Sequence, residues 1–326
     1  MSHAPHPPHP RLAPDVLAIA EDLLPAGFTL GTADPGAPSA AFATALAPAE
    51  YLLGFVGPLP EGAWAAATRL RLIQLLSAGY DRFPIERARE RGVPVALNGG
   101  ANAVAVAEHA VMLMLAVYRR LTQLDRAVHR GEWRAGAGAE ARYHELGGKR
   151  VGLLGMGQIG RAVGQRLGGF AIDLCYTDVA RLPAAEEQAL GATFLPFEEL
   201  LATADVLSFH LPLLPETRGI IGARALASVR PGTVLINTAR GELVDEVALA
   251  AALRSGRLLG AGLDVLNQEP PPLEHPLLAL DNVVLTPHTA GPTWESWPRR
   301  FGNAYANIAR VSRGVPPRWV IPELSA

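Results

Sequence analysis

Short apolar runs alternate along the chain with segments that suit helices or turns. In the first third, apolar residues recur at helical spacing over residues 15–24 and stop at Pro25, Ala26 and Gly27. Strand-like runs follow at 51–56, 70–76 and 93–97. From Leu146 onward the pattern sharpens. Residues 151–154, 172–176, 206–209, 234–237, 260–265 and 283–286 read as strands, with helical segments at 159–167, 197–202, 223–229 and 246–255 between them. These strands are mostly apolar and do not alternate regularly with polar residues. Strands of that kind, separated by helices, predict an α/β fold with a parallel sheet covered on both faces.

Residues 101–121 contain neither Gly nor Pro and are rich in Ala, Val, Leu and Met. They read as one largely buried helix of the kind that joins domains or subunits, with Met112 and Met114 as packing residues. His109 on this helix reads as a satisfied structural histidine. A second helical segment covers 293–312 and sets Trp294 and Trp297 one turn apart, either facing a substrate or packing in a core. Residues 1–10, with His3, His6 and His9 among prolines, read as a disordered tail, and 134–141 as a loop.

The 326 residues are 49% hydrophobic and 18% charged, enough apolar material for about two domains. The 29 Lys and Arg against 31 Asp and Glu give a net charge of −2, which argues against a nucleic-acid binder or a polybasic membrane tether. Lys149 is the sole lysine and sits in a glycine turn, so Schiff-base chemistry is not expected. Cys175, the single cysteine, can form no internal disulfide and no multi-thiolate metal site; no metal is expected. No run approaches the ~20 apolar residues of a membrane span, and no basic-then-apolar leader opens the chain. The expectation is a soluble, cytoplasmic protein.

Gly155-Met156-Gly157-Gln158-Ile159-Gly160 has the G-x-G-x-x-G spacing, with a strand before it, a helix after it, and Asp178 at the end of the next strand. That context reads as a dinucleotide site. Gly155 permits the turn, Gly157 lets a pyrophosphate approach the main chain, and Gly160 lets helix pack on strand. The N–H groups at the helix start, around Gln158 and Ile159, hold the negative charge. Asp178 would accept from the ribose hydroxyls and repel a 2′-phosphate, favouring NAD over NADP. Arg181 nearby reads as a solvated loop residue.

Three further segments lie at strand ends: Asn237 to Gly241, Gly262 to Glu269, and Thr286 to Gly291. In an open α/β sheet the ligand crevice lies beyond the carboxyl ends of the strands, so these segments can converge. Arg240 can grip a carboxylate and polarise the adjacent carbonyl. His288 can exchange a proton with the oxygen as hydride moves. Glu269 would favour the imidazolium and fix its tautomer. This is chemistry suited to reducing a 2-oxo acid.

On these residues the sequence resembles the D-isomer-specific 2-hydroxyacid dehydrogenases. The segments LNGGANAVAVAEHAV, ELGGKRVGLLGMGQIGRAVG, HLPLLPETRGIIG, VLINTARGELVDEVALAAAL, GAGLDV and HPLLALDNVVLTPHTAG carry the resemblance. It implies a Rossmann NAD-binding domain, residues 101–291, inserted into a flavodoxin-like substrate domain, residues 1–100 and 292–326. It implies NAD(P) in the cleft and a homodimer built on the long helix between Val104 and Leu121. It assigns Arg240, Glu269 and His288 to catalysis. Ser77, Ala78 and Gly79 fall to the loop whose N–H groups bind the substrate carboxylate, and Asn102 to its neighbourhood. His210, Pro212 and Thr217 fall to the adenosine side, Thr238, Ala239 and Gly291 to the nicotinamide side, and Asp264 to the carboxamide. Two departures stand out. The histidine- and proline-rich opening occupies the place of a first apolar strand, and Leu266-Asn267-Gln268 replaces the usual aromatic-containing approach to the glutamate.

The segments expected to face a substrate, 52–58, 77–82 and 98–102, are apolar or small, with Arg82 the only cation. A phosphorylated substrate would want at least two cations. A small or moderately apolar acid of the glyoxylate, hydroxypyruvate or pyruvate type fits better. The alternatives are a formate- or phosphite-type dehydrogenase on the same fold, and an NAD-sensing scaffold or corepressor. Glu269 argues against the formate type, whose members resembling this chain have Gln there.

Overall fold

The apolar runs become strands in a computed structural model that describes residues 12–34, 38–55, 57–59, 61–81, 83–133 and 142–325. The tail at 1–10, Arg82 and the loop at 134–141 lie outside the described residues. The chain divides into two units, Met1–Asn102 with Pro292–Ala326, and Ala103–Gly291.

The first unit runs α1 (Pro14–Asp22), α2 (Ser39–Leu46), β1 (Tyr51–Gly54), α3 (Glu61–Ala66), β2 (Leu72–Leu75), α4 (Ile85–Glu90) and β3 (Val95–Ala96), and it resumes with a helix over Ser296–Ser312 and a short 3-10 turn at Pro322–Leu324. Its three strands are parallel in the order β1-β2-β3. The central strand is buried along its whole length. Ile73 and Leu75 join Phe42, Trp64 and Phe83 in one core. Leu72 and Leu76 join Val16, Phe301, Ala304 and Ile308 in the other. Among the described residues no strand precedes β1; α1 stands there and packs through its Ala20 carbonyl, which accepts from the Tyr305 hydroxyl at 2.7 Å.

The expected pairing of Trp294 with Trp297 on one helix is not what forms. Thr293 and Ser296 bond each other reciprocally, and the helix starts only at Ser296. Trp294 is left outside it and 61% exposed, while Trp297 packs edge-on to Phe55 and stacks on Phe301.

The second unit opens with α5 (Ala103–Tyr118) and α6 (Leu121–His129). It continues β4 (Arg150–Leu154), α7 (Gln158–Leu167), β5 (Asp173–Thr177), α8 (Ala184–Leu190) and β6 (Ala192–Phe194). Then come α9 (Phe197–Thr203), β7 (Val206–Phe209), α10 (Ala223–Ser228), β8 (Thr233–Asn237), α11 (Glu246–Arg254), β9 (Leu258–Leu263) and β10 (Val283–Leu285). All seven strands are parallel, in the order β10-β9-β8-β7-β4-β5-β6. One face is covered by α5 and α7 through Leu113, Met114, Val163 and Leu167. The other is covered by α9, α10 and α11 through Leu200, Leu226, Leu249 and Leu253. The order reverses between β4 and β7, which places the ligand crevice beyond the carboxyl ends of those two strands.

The single long helix expected over 101–121 is two. The apolar run ends at Tyr118; Arg119 and Arg120 are exposed, and Arg120 takes a left-handed backbone (φ 52°) that no helix continues through. Met114 is fully buried as expected, whereas Met112 is 45% exposed. Among the described residues no helix is long and apolar enough to cross a membrane.

Leu153, in β4, is fully buried on the α5–α7 face. Leu153→Ala is expected to cost about 3 kcal/mol of unfolding free energy in urea titrations, from the lost transfer energy and the cavity left behind.

Candidate active site

Beyond β4 the chain turns at Gly155, whose backbone is left-handed (φ 94°). A side chain there would put its Cβ 2.7 Å from the His210 carbonyl oxygen, at the end of β7, so the two strands flanking the reversal meet at this glycine. A Cβ on Gly160 would lie 2.2 Å from the Gly155 carbonyl oxygen. The first turn of α7 therefore rests directly on the glycine turn, as only glycine allows. Above Gly157 there is open space. Gly157 and Gln158 are exposed at the start of α7 and Ile159 is half-buried, so the turn and the positive helix end are available to an anion.

Asp178 follows β5 and its carboxylate accepts from the Met156 N–H at 2.6 Å and the Val179 N–H at 2.7 Å. A carboxylate has further lone pairs to offer a hydroxyl. Arg181 is exposed, as expected of a loop arginine, and is also paired. Its guanidinium grips Glu187 bidentately at 2.8 and 2.9 Å, and the Tyr176 hydroxyl donates to the same carboxylate at 2.7 Å.

At the end of β7, His210 has Nε2 3.0 Å from the Ser208 hydroxyl, while Nδ1 is shielded and meets no partner among the described residues. Burial pulls its pKa down to about 3, so the ring is neutral at physiological pH. The following loop is closed by Thr217, whose hydroxyl donates to the Pro212 carbonyl at 2.7 Å and accepts from the Leu214 N–H at 2.8 Å. Beyond β8, the Thr238 hydroxyl is also buried without a partner among the described residues. Buried polar atoms are almost always hydrogen-bonded. Two orphans at the ends of β7 and β8, with open space over Gly157, fit a polar dinucleotide.

Arg240 stands on a turn clamped by Asn237. The Asn237 amide donates to the Arg240 carbonyl at 2.7 Å and accepts from the Ala239 N–H at 3.0 Å. The guanidinium itself donates to the Ala239 carbonyl at 2.7 Å. Next to it, a Cβ on Gly241 would fall 2.1 Å from the Leu266 carbonyl carbon. The arginine turn thus packs against the loop that carries Glu269. That glutamate accepts from the Leu266 N–H at 3.1 Å through one oxygen and faces His288 Nδ1 at 2.7 Å through the other. Ionised Glu269 can only accept, so Nδ1 carries the proton and Nε2 is the atom left for a substrate. His288 is 47% exposed at its side chain.

Asp264 joins these pieces. It is 2% exposed, and its carboxylate accepts from the Thr286 hydroxyl at 2.6 Å and from the Thr289 and Ala290 N–H groups at 2.9 Å. Its carbonyl accepts from the His288 N–H at 2.8 Å, and its own N–H donates to the Asn237 carbonyl at 2.9 Å. Gly291, the next residue after this turn, closes the second unit. The second unit therefore brings together Thr238, Ala239, Arg240, Asp264, Glu269 and His288 at the carboxyl edge of its sheet.

In the first unit, the Ser77 hydroxyl donates to the Gly79 carbonyl at 2.7 Å, folding Ser77, Ala78 and Gly79 into a tight loop. Asn98 ties this loop to Asn102: its N–H donates to the Ser77 carbonyl at 3.1 Å and its amide to Asn102 at 3.0 Å.

Sequence reading passed over the supporting residues. Asp245 caps α11, accepting from the Val247 and Ala248 N–H groups at 3.0 Å. Glu246 follows, accepting from the Asn267 N–H at 2.8 Å and facing His275 Nε2 at 3.0 Å, so it fastens the loop around Glu269. His275 lay inside a family-like segment, but nothing in its spacing joins it to a glutamate 29 residues earlier.

Residues 111–290 match the D-isomer specific 2-hydroxyacid dehydrogenase NAD binding domain. The chain belongs to the D-isomer specific 2-hydroxyacid dehydrogenase family. It is 36% identical over 269 residues to the glyoxylate reductase of Korarchaeum cryptofilum, covering 82% of this chain and 81% of that one. It is 38% identical over 271 residues to glyoxylate/hydroxypyruvate reductase B of Yersinia pseudotuberculosis, covering 83% of each. Among solved structures, the TT0316 protein of Thermus thermophilus superposes with a TM-score of 0.78 at 35% identity, covering 90% of this chain and 91% of that one. This family member is thus an oxidoreductase with an NAD-binding Rossmann domain and an α/β fold.

Because His210 is held neutral, an unfolded chain binds a proton that the folded chain refuses between the ordinary histidine pKa of 6.5 and about 3. Stability therefore falls as pH drops through that window, by at most about 1.4 kcal/mol per pH unit from this group. Urea titrations at pH 7 and pH 5 should show a smaller acid loss in His210→Gln than in the parent chain. An equal loss in both would contradict the neutral buried ring.

Proposed function

We propose that this chain uses NADH to reduce a small or moderately apolar 2-oxo acid, of the glyoxylate, hydroxypyruvate or pyruvate type, to the D-2-hydroxy acid, and the reverse. The observation that carries the reading is the 2.7 Å contact between His288 Nδ1 and Glu269, on a loop packed against the Arg240 turn. The nicotinamide, when bound, supplies the hydride. Arg240 holds the carboxylate and draws electron density from the carbonyl oxygen. His288 Nε2 gives that oxygen its proton, and Glu269 steadies the ring before and after the transfer. The Ser77–Gly79 main chain and Asn102 serve the substrate acid.

The cofactor residues are Gly155, Gly157, Gln158, Ile159, Gly160, Asp178, His210, Pro212, Thr217, Thr238, Ala239, Asp264 and Gly291. NAD is favoured over NADP by two features: a carboxylate ends β5, and Arg181, the nearby cation, is engaged by Glu187. The formate-type reading gains nothing from a glutamate set against the histidine. The exposed apolar residues Val104, Met112, Leu121, Val128 and Trp133 on and after the helix pair support the homodimer, which sedimentation of the full chain tests directly.

A kinetic screen of 2-oxo acids decides the function. NADH oxidation is expected with glyoxylate or hydroxypyruvate, falling at least ~100-fold in kcat for His288→Ala. Glu269→Gln should shift the pH dependence of kcat/KM. NADH binding without turnover on any 2-oxo acid would favour the scaffold reading. For the cofactor, Asp178→Ser is expected to raise kcat/KM with NADPH relative to NADH on the order of tenfold, since about 1.4 kcal/mol of charge repulsion corresponds to that ratio. An unchanged ratio would remove Asp178 from cofactor choice.

A further inference from the structure

His109 projects from α5 towards the carboxyl edge of the same sheet, and its Nε2 lies 2.9 Å from the Thr286 hydroxyl. That hydroxyl is in turn 2.6 Å from the Asp264 carboxylate. Proton accounting fixes the direction of this chain. An ionised carboxylate only accepts, so the Thr286 hydroxyl donates its hydrogen bond to Asp264, and its lone pairs accept from the His109 Nε2–H. His109 Nε2 is also 3.6 Å from the same Asp264 oxygen. The carboxylate end of the chain holds the Thr289 and Ala290 N–H groups, and the Asp264 main chain holds the N–H of His288. His288 itself sits in the left-handed region at φ 54°, a conformation a non-glycine residue keeps only when its surroundings dictate it.

We propose that His109 is a positioning residue: it braces Asp264 through Thr286 and so fixes the backbone on which His288 is presented. The proposal rests on His288 being the proton donor of the reading above. It differs from a packing role because it needs one hydrogen-bond donor at one place. The imidazole fills space only secondarily, and a donor of other shape at the Nε2 position suffices.

The experiment compares His109→Leu, His109→Gln and Thr286→Val in the full-length protein, with glyoxylate and NADH as substrates. A glutamine amide nitrogen reaches the position of the imidazole Nε2. His109→Leu is expected to lower kcat on the order of tenfold, as a small misplacement of a reacting group does, with KM for glyoxylate changed less than about threefold. His109→Gln should recover kcat to within about threefold of the parent. Thr286→Val should match His109→Leu, and the double variant should be no worse than either, because both cut the same chain. Multiplying losses, or a glutamine variant as poor as the leucine one, would overturn the brace.

A second readout does not need turnover. The His288 ring resonances, identified by their loss in His288→Ala, should move in His109→Leu and return in His109→Gln. If they stay fixed in His109→Leu, the proposal fails, whatever the substrate screen shows. If no 2-oxo acid turns over but these shifts occur, the brace stands and the proposed reaction does not.

Discussion

The carboxylate of Asp264 is the interaction on which the carboxyl edge of the seven-stranded sheet depends. Taking an ionised carboxyl group out of water costs several kcal/mol unless donors replace the lost hydration. Here the donors are a hydroxyl and two main-chain N–H groups from one stretch of chain, residues 286–290. The charge is therefore satisfied only if that stretch folds back on β9 in one shape. The main chain of Asp264 extends the constraint sideways, to Asn237 on one side and His288 on the other. Three strand ends that are remote in sequence are thereby fixed as a group.

The glycine turn at the other end of the crevice works by the opposite means, by leaving things out. Gly155 and Gly160 let main chain meet main chain, and Gly157 leaves its surroundings open. The orphaned His210 and Thr238 atoms lie just beyond the carboxyl ends of β7 and β8. Asp264 already accepts three donors from the protein's own chain. The His210 and Thr238 atoms keep unused bonding capacity, which is what a binding surface must hold in reserve.

The glycine spacing, the apolar strands and the three strand-end motifs were legible in the sequence because each is a local pattern. Strand β6 and helix α8 were missed because Ala192–Phe194 holds a polar residue between two apolar ones and Ala184–Leu190 carries no apolar periodicity. The break at Arg120 was missed because it is a backbone conformation and not a composition. Glu246 and His275 escaped for another reason. Each acts by bonding a residue brought near by the fold, and no spacing rule joins Glu246 to the Asn267 N–H before the sheet is assembled. His109 is the same kind of case: alone on an apolar helix it reads as a satisfied core residue, and its partner Thr286 lies 177 positions away.

The left-handed backbone of His288 makes clear why so many bonds are committed here. For a residue with a Cβ this region costs roughly 1–2 kcal/mol, comparable with one or two net hydrogen bonds. A relaxed, extended His288 would be cheaper locally but would direct its ring elsewhere and abandon the 2.7 Å contact with Glu269. The bonds at 264, 286, 289 and 290 outweigh that local preference together, and none of them alone does so by much. An imidazole held this way does not need to find its orientation by fluctuation. The cost of ordering it is met once, on folding, by the hydrogen bonds that tie residues 286–290 to Asp264.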